Sequence, residues 1–214
     1  LAAPRVVAVV LAGGASRRFG SDKLTAALDG IPVLERAIGD LPTDWPVILV
    51  GPERRLAAAV TADRAIMIVR EEPAGGGPAA GLVAGIAAAL TPAVGAEVVV
   101  TVPGDVPAGG SAARILVAAL LEPLTTDRDS ADRAGTGPSP AAVVGVDTAG
   151  VDQPLQFAAG SAALRPLAAR TDAAGMPARA LLAALGDCRR VRLAEEFTAD
   201  VDVPADLTRL QRPR

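Results

Sequence analysis

The chain has 214 residues, 21 Lys plus Arg against 24 Asp plus Glu, no histidine and one cysteine. Its net charge of −3 and pI near 5.1 argue against a dedicated nucleic-acid surface, and four aromatics, Phe19, Trp45, Phe157 and Phe197, are too few for base-stacking platforms. Without histidine there is no Ser-His-Asp or Cys-His triad, no His-metal site and no imidazole acid–base catalysis. The lone Cys188 excludes an internal disulfide, suits a reducing cytoplasm and reads as a small core residue.

Residues 6–12, VVAVVLA, form an apolar run rich in β-branched residues, which predicts a strand buried on both faces. It stops at Gly13-Gly14, where the backbone can take positive φ and approach a ligand. Arg17, Arg18 and Lys23 follow, interleaved with Gly20 and Asp22. A strand that ends in a glycine-rich, cationic loop suits a polyphosphate, because backbone N–H groups make the cradle and the cations neutralise charge. The spacing matches neither a Walker loop nor a dinucleotide fingerprint. Lys23 is the only lysine in the chain, which suggests that this loop needs a compact, mobile point charge.

Residues 24–30 read as a short connection, and Pro32 opens a helix through Leu41. A strand over 47–50 leads through Gly51-Pro52 into a helix over 53–62 with Arg54 and Arg55 outward. The next strand, 66–69, is followed by Arg70-Glu71-Glu72-Pro73 and a glycine run, and Pro78 opens an Ala-rich helix to Leu90. A strand over 98–102 ends in Pro103-Gly104-Asp105-Val106-Pro107, and a helix over 111–121 closes this half. Four strand–helix alternations with wholly apolar strands predict a parallel sheet covered on both faces, with ligands beyond the carboxyl ends of the strands.

The polar stretch 125–140 reads as an exposed loop. Strands over 142–146 and 155–158 pair around the turn 147–154. Helices begin at Ser161 and Pro177, 191–193 is a last strand, and Pro204 opens the final helix. The expected fold is a three-layer, Rossmann-like α/β fold with a mostly parallel central sheet, in a single domain over 1–214. Neither the apolar N-terminal run, seven residues long and β-branched, nor the uncharged 73–96, broken by Gly75-Gly76-Gly77, Pro78 and Pro92, reads as a membrane segment. The expectation is a soluble, cytoplasmic protein without a membrane or nucleic-acid partner.

The first loop, with Leu11, Ala12, Gly13, Gly14, Ser16, Arg18, Gly20, Asp22 and Lys23, resembles the L-A-G-G-x-S/A-x-R-x-G-x-D-K signature of nucleotidyltransferases, and most closely that of the molybdenum cofactor guanylyltransferases. The resemblance extends down the chain. Asp105 matches the aspartate that binds Mg²⁺ beside the nucleotide phosphates, and a carboxylate in a tight turn at a strand end suits a divalent cation; a helix-capping Asp is the alternative. Glu71-Glu72 and Gly77-Pro78-Ala79-Ala80-Gly81 match an acidic residue before a Gly-Pro-x-Ala-Gly segment. There Glu72, or second Glu71, could accept from guanine N1–H and N2–H₂, and Gly77 starts a helix next to the nucleotide.

The family commonly has Asp at the acidic position and an Asn-bearing turn where this chain has Gly51-Pro52. Gln153, in Asp152-Gln153-Pro154-Leu155, aligns with the acceptor-facing segment in place of a more familiar His or Glu. Asp200 or Asp202, in the closing Asp-x-Asp-x-Pro-x-Asp-Leu, would be the second metal or acceptor contact, although an N-cap before Pro204 explains Asp202 almost as well.

The resemblance implies a nucleotidyltransferase with a nucleotide-binding half, 1–122, and an acceptor-binding half, 123–214. Leu11, Ala12, Gly13, Gly14, Lys23, Glu72, Gly77, Asp105, Gln153, Asp200 and Asp202 would bind ligands, Arg18, Lys23 and Asp105 would be catalytic, and Asp105 would hold Mg²⁺. The expected reaction transfers GMP from GTP to molybdopterin with release of pyrophosphate, in a monomer or weak homo-oligomer. The alternatives are a cytidylyltransferase of the same fold, acting on molybdopterin or another phosphorylated small molecule, and a non-catalytic nucleotide-binding accessory protein. An acceptor phosphate is ionised at neutral pH, so the missing histidine is consistent with this chemistry.

Overall fold

Wholly apolar strands can hide both faces only as the inner layer of a three-layer arrangement, and the chain forms one. A computed structural model describes residues 3–14, 16, 18–122 and 140–211. In chain order the elements are β1 (Val6–Leu11), a 3₁₀ turn (Lys23–Thr25), β2 (Ala27–Leu28), β3 (Ile31–Pro32), α1 (Val33–Gly39), β4 (Val47–Val50), α2 (Ala58–Thr61), β5 (Ile66–Val69), α3 (Pro78–Ala89), β6 (Val98–Pro103) and α4 (Gly109–Leu121). They continue with β7 (Ala142–Val146), β8 (Asp152–Gly160), α5 (Ser161–Ala168), α6 (Ala178–Ala184), β9 (Arg189–Arg192), α7 (Glu195–Thr198) and α8 (Pro204–Gln211).

Seven strands form one sheet in the order β5-β4-β1-β6-β8-β7-β9, and β2–β3 is a separate hairpin. β5, β4, β1 and β6 are mutually parallel. β8 runs antiparallel to both β6 and β7, and β9 is parallel to β7. β1 lies between β4 and β6, which is why its sequence does not alternate. Val7 and Val9 pack on one face with Leu82, Ile86, Leu164 and Leu181; Ala8 and Val10 pack on the other with Leu34, Ile38 and Leu116. Full burial of each such Val or Leu contributes about 1.5–3 kcal/mol. α3 lies close on the sheet because a Cβ at Gly85 would sit 2.4 Å from Val9 Cγ1, and one at Gly81 would sit 3.2 Å from Leu11 Cδ2.

The strands over 47–50 and 66–69 occur as expected, and β6 runs one residue past its expected end. β8 begins three residues before the expected strand, and β9 two residues before. Three expectations need correction. Residues 24–30 hold the 3₁₀ turn and the β2–β3 hairpin, whose turn is Asp29-Gly30 at φ 51° and 79°; Asp-Gly is a hairpin signal. The helix expected from Pro32 starts at Val33 and ends at Gly39. The helix over 53–62 shrinks to Ala58–Thr61, because the chain from Gly51 first follows the end of β1. A Cβ at Gly51, which sits at φ 151°, would lie 2.7 Å from the Ala12 carbonyl oxygen. Arg55 is exposed as expected, but Arg54 turns inward.

The stretch 125–140 lies, apart from Pro140, outside the described residues, as does Arg17. Among the described residues no helix is long and apolar enough to cross a membrane. Cys188 is half-buried at the margin of the core, and burial together with the charges of Asp152 and Asp187 pushes its thiol pKa up.

Candidate active site

The parallel strands β1, β4 and β6 bring their carboxyl ends to one edge. Gly104 follows β6 as Gly51 follows β4. Its N–H donates to the Leu11 carbonyl at 2.8 Å, and a Cβ there would lie 2.6 Å from the same oxygen. Glycine on both sides therefore lets the neighbouring loops close against the start of the phosphate-type loop.

Of the four residues that open that loop, two are structural and two are open. Leu11 is half-buried and packs beside Gly81. Ala12 is fully buried, donates its N–H to the Val50 carbonyl at 2.7 Å and accepts at its own carbonyl from Arg54 Nη2 at 3.2 Å. Gly13 and Gly14 are exposed with open space around them, and Gly14 lies at φ 120°. The loop turns at Ser16, whose carbonyl accepts from Phe19 and Gly20 N–H. Asp22 then caps the 3₁₀ turn by accepting from Leu24 N–H at 3.1 Å, so that Lys23 is its first residue.

Lys23 is where chain ends far apart in sequence meet. Its Nζ lies 2.6 Å from Asp105 Oδ2 and 2.7 Å from Asp202 Oδ1. Arg18, largely exposed, places Nη2 2.8 Å from Asp202 Oδ2. Burial disfavours the charge on Lys23, but the hydrogen bonds and charges of Asp105 and Asp202 outweigh it, and the ammonium pKa is raised. Asp200 completes an acidic group: one oxygen from each of Asp105, Asp200 and Asp202 lies within 4.8 Å of the others. Burial, then the charges of Asp105 and Asp202, push the Asp200 carboxyl up, with Lys23 opposing.

The C-terminal segment is held at this corner by its backbone, since Val201 N–H donates to the Asp105 carbonyl at 2.9 Å. Asp202 is not the side chain that caps α8. Asp206 does that, accepting from both Asp202 and Val203 N–H at 2.9 Å, which leaves the Asp202 carboxylate free to face Lys23 and Arg18.

The structure brings Arg18, Lys23, Asp105, Asp200 and Asp202 together, while the hydrogen bonds of Glu71 and Gln153 lie within their own turns. Glu72 is exposed, and Glu71 accepts from Gly75 N–H within its own turn at 3.0 Å. Gly77, at φ 90°, immediately precedes α3. Gln153 Nε2 donates within the β7–β8 connection, to Asp147 Oδ2 at 3.4 Å and the Val151 carbonyl at 3.3 Å. Its neighbours Asp152 and Pro154 line a cleft of about 780 Å³ with Arg179, Leu182, Cys188 and Arg190, to which none of the three clustered carboxylates contributes. Sequence reasoning missed Arg54, whose side chain is only 13% exposed and pairs with Asp22.

The model for the MobA-like NTP transferase domain matches residues 8–191. The chain belongs to that family. Among solved structures, Rv0371c from Mycobacterium tuberculosis H37Rv superposes with a TM-score of 0.66 at 22% identity, covering 99% of each chain. Its manganese complex superposes at 0.60 and 19% identity, covering 98% of this chain and 99% of that one. Molybdopterin-guanine dinucleotide biosynthesis protein A from Archaeoglobus fulgidus gives 0.59 at 18%, covering 95% and 96%. A CMP:2-keto-3-deoxy-manno-octonic acid synthetase complexed with CTP gives 0.60 at 17%, covering 97% of each. At these identities the likeness is one of fold. No curated protein matches the chain.

Proposed function

We propose that this MobA-like domain transfers GMP from GTP to molybdopterin with release of pyrophosphate. The observation that carries the reading is Lys23, held between Asp105 and Asp202 in the loop that opens with the exposed Gly13 and Gly14. An ammonium there can exchange carboxylate for phosphate, and the exposed guanidinium of Arg18 can follow it. An oxygen of the acceptor phosphate bonds to the α-phosphorus while the α–β bridging bond breaks, and pyrophosphate leaves with the electron pair. No proton has to be removed from an ionised acceptor. The barrier is the approach of two anions, and Lys23 and Arg18 lower it by lying on the transferred and departing phosphates.

Three carboxylates with oxygens within 4.8 Å are a hard, all-oxygen donor set that fits Mg²⁺ or Mn²⁺. Asp105 with Asp202 and Asp200 would hold that ion, which when bound supplies further positive charge at the phosphates. The manganese complex of Rv0371c supports a divalent ion in this family. On the acceptor side, Gln153 and the cleft beside it, of a volume ordinary for small-molecule sites, lie in the C-terminal half assigned to molybdopterin.

A second reading, a cytidylyltransferase on the same scaffold, is favoured by one observation: neither Glu71 nor Glu72 is fixed as a reader of guanine. Glu71 is committed to Gly75, and Glu72 is exposed. Pyrophosphate release with Mg²⁺, molybdopterin and each of GTP, CTP, ATP and UTP tests both. GTP-dependent release is expected, CTP-dependent release selects the second reading, and no release with any nucleotide overturns both.

A further inference from the structure

Arg54 takes no part in the chemistry above, yet its buried guanidinium reaches both ends of the first loop. Nη2 donates to the carbonyl of Ala12 at the close of β1, and Nη1 pairs with Asp22 Oδ2 beside Lys23. We propose that Arg54 is a positioning residue for this loop: by tying Asp22 to Ala12 it fixes the turn that presents Lys23, and so sets nucleotide affinity without touching the nucleotide. The proposal rests on the phosphate-loop reading.

The chain of contacts is short. Asp22 divides its carboxylate, with Oδ1 accepting from Leu24 N–H and Oδ2 facing Arg54. Its carbonyl accepts from Thr25 N–H at 3.1 Å and Thr25 Oγ1 at 2.8 Å. The turn is therefore closed within itself, seated on the core by the buried Leu24, and tied to the start of the loop by Arg54 and by Lys23 N–H, which donates to Ser16 Oγ at 3.4 Å. Removing the guanidinium leaves the Asp22 carboxylate without its countercharge and the Ala12 carbonyl without its donor.

The task needs an arginine. Two acceptors on different segments are met by two N–H groups of one rigid fork, whereas an ammonium on a flexible stem is a single point charge. Gly51 makes the reach possible, because any Cβ there would push the Arg54 segment off Ala12.

Two measurements on the full chain test this. The first is amide hydrogen exchange over residues 12–25 without any ligand. Arg54→Ala should speed exchange in that segment at least about tenfold while leaving α4 unchanged, and Asp22→Asn should reproduce the effect. The second is calorimetric binding of GTP with Mg²⁺, or of CTP where GTP does not bind. Arg54→Ala should weaken binding by about ten- to a hundred-fold, Arg54→Lys should recover part of the loss, and Arg54→Ala combined with Asp22→Asn should be no weaker than either alone.

Unchanged exchange over 12–25 in folded Arg54→Ala overturns the proposal. So do additive losses in the double variant, which would mean that Arg54 contacts the nucleotide directly. Arg54→Gln, which keeps the stem, repeats both measurements should Arg54→Ala prove unfolded. If wild-type protein binds no nucleotide, the proposed function falls, and the exchange experiment still decides whether Arg54 ties the loop.

Discussion

The phosphate corner and the Glu71–Gly77 loop both follow strands at the same edge of the sheet, but they are built differently. At the corner, two cations and two of the three clustered carboxylates are already in contact, Lys23 reaching Asp202 across 179 residues of sequence, and glycines at 51 and 104 shape the floor. In the Glu71–Gly77 loop, one carboxylate is spent on its own turn and the other is exposed. The contrast teaches that the groups proposed to meet the phosphates already touch one another without a ligand, whereas among the described residues the two glutamates proposed to read the base are joined to no group outside their own turn. Only the first can be read as a machine at rest.

The sharpest test of that contrast is at the corner. Lys23→Ala should reduce pyrophosphate release by roughly a thousandfold or more in protein that remains folded, and Asp105→Asn should cut turnover while shifting the Mg²⁺ titration to higher concentration. Wild-type turnover in folded Lys23→Ala would break the comparison, since the resting contacts would then have no use.

On the other side, a Glu72 carboxylate that swings onto guanine N1–H and N2–H₂ gives a GTP over CTP preference of about ten- to a hundred-fold, and Glu72→Gln narrows it. Specificity constants for both nucleotides measure this. A CTP preference would leave the corner standing and reverse the base assignment.

A smaller effect sharpens the meaning of a pre-formed corner. Because Lys23 occupies the carboxylates, Lys23→Ala should bind Mn²⁺ about tenfold more tightly than wild type without nucleotide, which titration calorimetry can read. Gly51→Ala tests the floor, with an expected loss of about 1–3 kcal/mol in denaturant unfolding from forcing a Cβ against Ala12.

The smallest effect is at Asp206, whose carboxyl pKa is held below the usual carboxylate range by backbone hydrogen bonds from Val203 and Asp202 and by Arg209. A depressed carboxyl contributes stability above its unfolded pKa and loses it as pH falls through the folded value. Asp206→Asn should therefore cost about 1 kcal/mol at neutral pH, and the difference from wild type should vanish in acid.

Sequence reading went furthest where a residue's neighbours in the chain determine its surroundings. The apolar runs of β1, β4, β5 and β6 had to be strands, and Gly13-Gly14 before Arg18 and Lys23 had to be a loop with room for a ligand. It went least far where a long-range contact overrides local preference. Arg54 lies in a stretch with ordinary helical composition, yet the helix begins only at Ala58 and the Arg54 side chain turns in to meet Ala12 and Asp22. Asp202 looked as much a cap as a ligand, and the choice was made by Asp206 taking the capping bonds. The β2–β3 hairpin, by contrast, is legible in Asp29-Gly30, a local turn signal inside what otherwise reads as a short connection.

The bond from Val201 N–H to the Asp105 carbonyl has a consequence for how the protein comes to life. Asp105 and Asp200 stand 95 residues apart in the sequence, and closing so long a loop carries the entropic cost of bringing its ends together. A chain whose segment around Val201 has not docked on Asp105 holds only one of the three clustered carboxylates in place.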